Sequence, residues 1–353
     1  MPSADHGRRA SQPRWSIRLH ADPIGQQAWF ILCGLALLRA SGEALVEFTD
    51  LGVPPETEMW LEVSDIESGV VRTICVDNQD TPTVVSPQRS AMADSLWKRS
   101  WTPGVGRPLG LIAGMRTADE RIWSYTARAA CLGARRGRWD DVRRVGSFVR
   151  RRPFPPLLSE YERPTMKQPL VLFQVRAWAP GETASEETGA AVNDGRAELI
   201  SALKESFGAR FRGGFLRNEY SERRYPGLIT DEAQSSRDYV ALIRSSAIGV
   251  STVGLHGSNP WKLAEYLACG VAIVTEPLHF GVPEPLDDIV RWFDSPERCV
   301  ASCEELLSDP DALREAQTRS NVHWSAYARP DSLLRTRLIE EFLSSSADNF
   351  DQR

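Results

Sequence analysis

Apolar positions recur along the chain in two rhythms: short continuous or alternating runs that suit strands, and spaced stripes that suit helices. In the first half, 15–20 reads as a strand, 26–39 as a helix stopped at Ser41 and Gly42, and 44–48 as a second strand. Two more strands fall at 59–63 and 70–76, joined by an acidic turn that contains Gly69. The pattern then predicts a helix over 87–100 and a strand over 108–113, while 122–132 fits either type. The second half alternates more cleanly. Strands are predicted at 169–175, 209–216, 248–253 and 271–275, and helices at 196–207, 235–245, 260–269, 296–307 and 310–327. A break at Arg329-Pro330 precedes a last helix at 333–343. Repeated strand–helix alternation argues for a parallel, doubly wound sheet, which binds ligands at the carboxyl ends of its strands.

A division follows from the punctuation. Residues 1–13 are polar and read as disordered. Pro153, Pro155, Pro156 and Pro164 mark an extended linker over 151–167, because proline continues neither helices nor ladders. This leaves an α/β domain at 14–150, a second at 168–330, and a C-terminal helix and tail at 331–353. A length of 353 residues suits two domains.

Composition narrows the class. With 42% hydrophobic and 25% charged residues the chain is that of a soluble packed protein, not a disordered or fibrous one. A net charge of −5 argues against a globally basic nucleic-acid binder. The longest nearly apolar run, 28–38, is well short of the about twenty residues a membrane span needs. The polar N-terminus has no signal-peptide core, so the expected location is cytoplasmic. The six cysteines form no CxxC pair, which favours free thiols over a zinc site, although Cys299 and Cys303 should share a helix face. From Arg135 to Arg152 the chain carries eight Arg against Asp140 and Asp141. That tract leaves two readings open, a solvated basic face and a peripheral contact with anionic membrane.

The most informative stretch is 254–277, which reads as strand end, glycine loop, helix, glycine stop and strand. Ser258 or Asn259 should cap the helix, with Pro260 at its first position. Free amides and the positive end of the helix dipole suit a phosphate there, and Lys262 in the first turn adds a full charge. Glu265, one turn on, can accept two hydrogen bonds from a vicinal diol; an ordinary Lys262–Glu265 surface pair is the plainer alternative.

The segment WKLAEYLACGVAIVTEP resembles the donor-binding motif of GT-B nucleotide-sugar glycosyltransferases of the group-1 superfamily, and LVLFQVRAW is similar to the strand that precedes their donor-phosphate arginine. The resemblance covers roughly 168–330 and implies an α/β fold of two Rossmann-like domains facing a cleft. It gives Glu265 the donor ribose and Arg176 the donor phosphate. Retaining members usually carry a second Glu eight residues before the ribose Glu; here that position is Gly257, so this chain represents a diverged subgroup. His256, Gly257 and Ser258, with the loop amides, would then face the donor sugar, and Glu276 at the next strand end is a further candidate contact.

The implied activity is transfer of a sugar from a nucleotide-diphosphate sugar, a co-substrate rather than a bound cofactor, to an acceptor in the first domain. Arg176, Lys262 and helix amides would stabilise the leaving diphosphate without a metal. Asp287-Asp288 reads as a solvated loop rather than a metal site. His20 or Asp22, in the loop after the first strand, is the candidate base for the acceptor hydroxyl. Trp178 suits stacking on a base or sugar, or simple core packing. Gly257 also keeps open a non-catalytic GT-B-like nucleotide-binding protein, and the same architecture serves nucleotide-sugar epimerases.

Overall fold

A computed structural model describes residues 12–20, 28–49, 58–84, 87–119, 131, 135, 155–182 and 186–348. Two six-stranded sheets carry the α/β fold. The first contains β1 (Trp15–His20), β2 (Ala44–Phe48), β3 (Glu58–Asp65), β4 (Val71–Asp77), β5 (Ser95–Lys98) and β6 (Arg107–Pro108), in the order β2-β1-β3-β4-β5-β6. Within it β3 runs antiparallel to both β1 and β4, and the other pairs are parallel. The short turn after β3 dictates this, since so few residues can return the chain only as a hairpin. Asp65 Oδ1 shapes the turn by accepting from the Glu67 and Ser68 amides at 3.0 and 3.4 Å.

The helix expected over 87–100 is corrected. Only Pro87–Ser90 is helical (α2), and β5 follows it in parallel to β4. Strand pairing overrides local preference here because it buries Trp97 and Lys98, and Lys98 Nζ meets Asp77 Oδ2 at 3.0 Å with both side chains fully buried. The strand expected over 108–113 shrinks to the two residues of β6; 109–115 nevertheless pack inward, Leu109 and Met115 being fully buried. The linker is not simply extended: 158–161 form a helical turn, α3 (Leu158–Tyr161), with Leu158 and Tyr161 buried.

The second sheet is built from β7 (Gln168–Val175), β8 (Phe211–Leu216), β9 (Ile229–Thr230), β10 (Ser246–Ser251), β11 (Ala272–Thr275) and β12 (Val290–Trp292). Every pairing in it is parallel, in the order β12-β11-β10-β7-β8-β9. The order reverses between β7 and β10, which opens a crevice at their carboxyl ends. Helices cover both faces, so the strands read as apolar runs. Val171, Phe173 and Val175 pack with Leu199 and Leu203 of α4 (Glu186–Phe207) and Cys299 and Cys303 of α8 (Pro296–Ser308). Leu172 and Ile273 pack the other way, against α6 (Ser236–Ser245) and α7 (Trp261–Ala268). A short helix, α5 (Glu219–Arg224), follows β8. Side-chain caps start α6 at Ser235 and α8 at Ser295, the latter with proline next in line.

After α9 (Pro310–His323) and a π-helical turn at 324–328, the last helix α10 (Pro330–Asp348) returns to the first sheet. It packs on α1 (Ala28–Ala40), a helix buried nearly all round. Arg335 pairs with Glu43 at 2.6 Å, and Trp97 Nε1 donates to Glu341 at 3.2 Å. No helix among the described residues is long and apolar enough to cross a membrane.

The α1–α10 contact depends on Gly34, where a Cβ would lie 2.5 Å from the Pro330 carbonyl oxygen. Gly34→Val should therefore force the helices apart and lower unfolding stability by about 1–3 kcal/mol in a urea titration. Gly195→Ala, on α4 with nothing within 4 Å of the new carbon, should instead raise stability by about 0.4–1 kcal/mol.

Candidate functional site

A cleft of about 360 Å³ opens at the carboxyl ends of β7 and β8. Arg176 and Trp178 enter it from just beyond β7, Arg196 from α4, and Tyr239 and Lys262 from the helices on the other face. The described residues lining it include three cations and no carboxylate, so its interior favours an anion.

Each cation is held by identifiable partners. Arg176 is half exposed, pairs with Glu182 and lies 4.7 Å over the Trp178 ring. Arg196 is buried and donates to the Arg176 carbonyl (3.0 Å), Thr252 Oγ1 (3.3 Å) and the Val253 carbonyl (3.3 Å), which joins the ends of β7 and β10. Burial lowers its pKa to about 10, opposed by the charge of Glu276. Lys262 donates to Tyr239 Oη at 2.7 Å and sits 4.3 Å from that ring centre. Desolvation pulls the Lys262 pKa down to about 8 against the favourable field of Glu265.

Structure therefore brings Arg176 and Lys262 into one cavity. Glu265 lies one turn below Lys262, outside the residues that line the cleft, and accepts a long 3.5 Å hydrogen bond from Tyr161. Burial raises its pKa, with Lys262 and Tyr161 opposing. Glu276 braces the loop after β10 by accepting from the Val253 amide at 2.8 Å. Its pKa is raised by burial, while that amide, Arg196 and His279 pull it down.

The glycine loop differs from its expected geometry in one respect. Neither Ser258 nor Asn259 caps α7; Pro260 occupies the cap position itself, with no side-chain cap bond. Ser258 is instead buried under Gly254, whose amide donates to its carbonyl at 2.9 Å, and the Asn259 side chain donates to the Phe280 carbonyl at 3.1 Å. His256 is exposed on a left-handed backbone (φ 56°). Gly257 follows at φ 70°, and a Cβ there would lie 2.3 Å from His279 Nδ1. No side chain fits at 257 unless His279 moves. Gly270, at φ 59°, ends α7 as its position predicts.

His20 lies at the end of β1, opposite Trp60 on β3. Asp22 lies outside the described residues, as does the basic tract apart from an exposed Arg135. Sequence reasoning missed Asn193 and Arg196, which sit three apart on α4. Asn193 is fully buried and clamps the Trp178 backbone with bonds of 2.9 and 2.8 Å. Two large polar residues at helical spacing inside a packed helix were the available signal.

Residues 196–334 match a family model described as glycosyl transferase-like. The chain is similar to the C-terminal domain of LpcC, a glycosyl transferase group 1 family protein from Francisella tularensis, at 13% identity over 48% of this chain and 85% of that one, TM-score 0.29. AviGT4, a glycosyltransferase involved in avilamycin A biosynthesis, shows 18% identity over 54% and 56%, TM-score 0.32. A Listeria monocytogenes protein assigned as a UDP-N-acetylglucosamine 2-epimerase shows 13% identity over 56% and 51%, TM-score 0.33, so the chain spans about half of its length. No curated protein matches the sequence.

Lys262 gives the site a stability signature. Its folded pKa is depressed, so between about 8 and its usual value near 10.5 the unfolded chain binds the extra proton and stability rises with pH. Lys262→Met should melt above wild type at pH 7, and the difference should shrink as pH is raised through that window in thermal scans.

Proposed function

We propose that this chain, glycosyl transferase-like over 196–334, moves a sugar from a nucleotide-diphosphate sugar to an acceptor hydroxyl. The observation that carries the reading is the shared cleft of Arg176, Arg196 and Lys262 at the point where strand order reverses. The acceptor oxygen attacks the anomeric carbon, the bond from that carbon to the diphosphate oxygen breaks, and the diphosphate leaves with its electron pair. Arg176 and Lys262 stabilise the charge that grows on it, so metal-independent transfer is part of the proposal. Glu265 takes the ribose hydroxyls after releasing Tyr161, and His20 or Asp22 takes the acceptor proton.

Binding without turnover is the second reading, favoured by Gly257. A carboxylate-bearing residue at that position would sit on a strained left-handed backbone and would have to displace the His279 ring. Donor binding with neither hydrolysis nor transfer across an acceptor panel would select that reading. Contact of the Arg135–Arg152 tract with anionic membrane belongs to the same proposal, and absence of flotation with anionic vesicles at low salt would remove it.

Calorimetry with nucleotide sugars tests the site directly. Arg176→Ala and Glu265→Ala should each weaken donor binding by about tenfold or more, equivalent to about 1.4 kcal/mol. Unchanged affinity in both would defeat the assignment. His20→Ala should lower turnover by about a hundredfold or more while leaving donor affinity as in wild type.

A further inference from the structure

Two residues that line the cleft each carry a buried polar atom with no partner among the described residues. Gln174 is 3% exposed; its Nε2 donates to the Ala233 carbonyl at 2.8 Å, whereas Oε1 accepts nothing. A carbonyl can only accept, so the amide nitrogen must face Ala233 and the oxygen is the atom left over. The second is Trp178 Nε1, a buried donor with no acceptor, although Asn193 holds the backbone of the same residue on both sides. A buried polar atom left unpaired is unfavourable, and two of them on neighbouring lining residues of one cleft are places where a ligand could complete them.

Their position says what that group is. Gln174 and Arg176 are two apart on and just beyond β7, so they share a sheet face about 6–7 Å from each other. A ligand with its anion on Arg176 and Lys262 thus presents its neighbouring, uncharged part to Gln174, between the apolar flanks of Leu216 and Ala233. A ring with polar edges and apolar faces matches that lining.

Resting on the nucleotide-sugar reading above, we propose that Gln174 and Trp178 read the nucleobase, and that they select a base carrying both an N–H and a carbonyl oxygen, the uracil or guanine class, over adenine. Gln174 Oε1 accepts from the base N–H, and Trp178 Nε1 donates to the base carbonyl. Adenine supplies an amino donor but no carbonyl oxygen, and leaves the indole N–H without its preferred acceptor. Asn193 and Ala233 hold the two readers in place, which keeps the recognition rigid.

The test is calorimetry on the full chain with UDP, GDP, ADP and inorganic pyrophosphate. Wild type should bind UDP or GDP about tenfold or more tightly than ADP, and Gln174→Met should bring that ratio to about threefold or less. Pyrophosphate affinity should stay within about twofold, because the anion cradle is untouched. Trp178→Phe keeps the ring and removes only the donor; it should narrow the same ratio, and it decides the matter if Gln174→Met does not fold. Equal wild-type affinity for the three nucleotides, or an unchanged ratio in the variants, overturns the proposal. Pyrophosphate binding without base preference defeats base reading alone, whereas binding of neither nucleotide nor pyrophosphate defeats the donor reading and this one with it.

Discussion

A guanidinium carried into the interior of the second unit ties together the two strands between which the sheet order reverses. Arg196 reaches from α4 to the Arg176 carbonyl beyond β7, and to Thr252 and the Val253 carbonyl beyond β10. Parallel strands diverge at this point because their crossover helices go to opposite faces, so little else on the backbone bridges the gap. Burial lowers the Arg196 pKa to about 10, yet the group stays charged at neutral pH. Its charge is offset by Glu276, which also accepts from the Val253 amide, so one carboxylate stabilises both the cation and the loop it grips. Arg196 thus braces the crevice and is one of the three cations that line it.

The other cations are held less firmly, and this suits binding. Arg176 is paired with Glu182 near the surface, where solvent screens such a pair to about 1 kcal/mol or less. An incoming anion therefore competes with a weak partner. Lys262 is the opposite case: among the described residues it meets a tyrosine hydroxyl and ring, and the Glu265 charge opposes its desolvation. An anion in the cleft would favour the charged form of this partly buried ammonium.

How much of this was legible in the sequence depends on the kind of signal. The four inner strands of the second sheet, β7, β8, β10 and β11, were readable because buried strands are written as apolar runs, whereas the two- and three-residue edge strands β9 and β12 were too short to show one. Gly270 marked the end of α7 because glycine takes its left-handed turn at no cost. Arg176 and Lys262 were readable as positions, each next to the end of a strand or the start of a helix. Strand β5 was not, since Ser95–Lys98 is specified by pairing with β4 and by the buried Lys98–Asp77 contact, which no local window contains. Gln174 escaped for a related reason. Inside an apolar run it reads as an ordinary strand residue, and its unpaired oxygen exists only once Ala233, 59 residues later, takes up the nitrogen.

Glu265 links this cleft to the rest of the molecule. Its partner Tyr161 belongs to the segment between the two sheets and also donates toward the Gly114 carbonyl at 3.2 Å. Around it the two halves interlock: Arg99 donates to the Asn259 carbonyl at 2.9 Å and lies 5.5 Å over Trp261, whose ring fills the space beside Gly114. The start of α7 is thus fixed from the first sheet's side as well as from its own. On the proposed reading, a carboxylate kept by one long hydrogen bond, with its pKa raised by burial, would gain more from a pair of ligand hydroxyls than it would lose on leaving the tyrosine. Moving Glu265 toward the cleft would release Tyr161 to the Gly114 carbonyl alone, so the proposed ligand contact at α7 would compete with the contact between the halves for the same carboxylate.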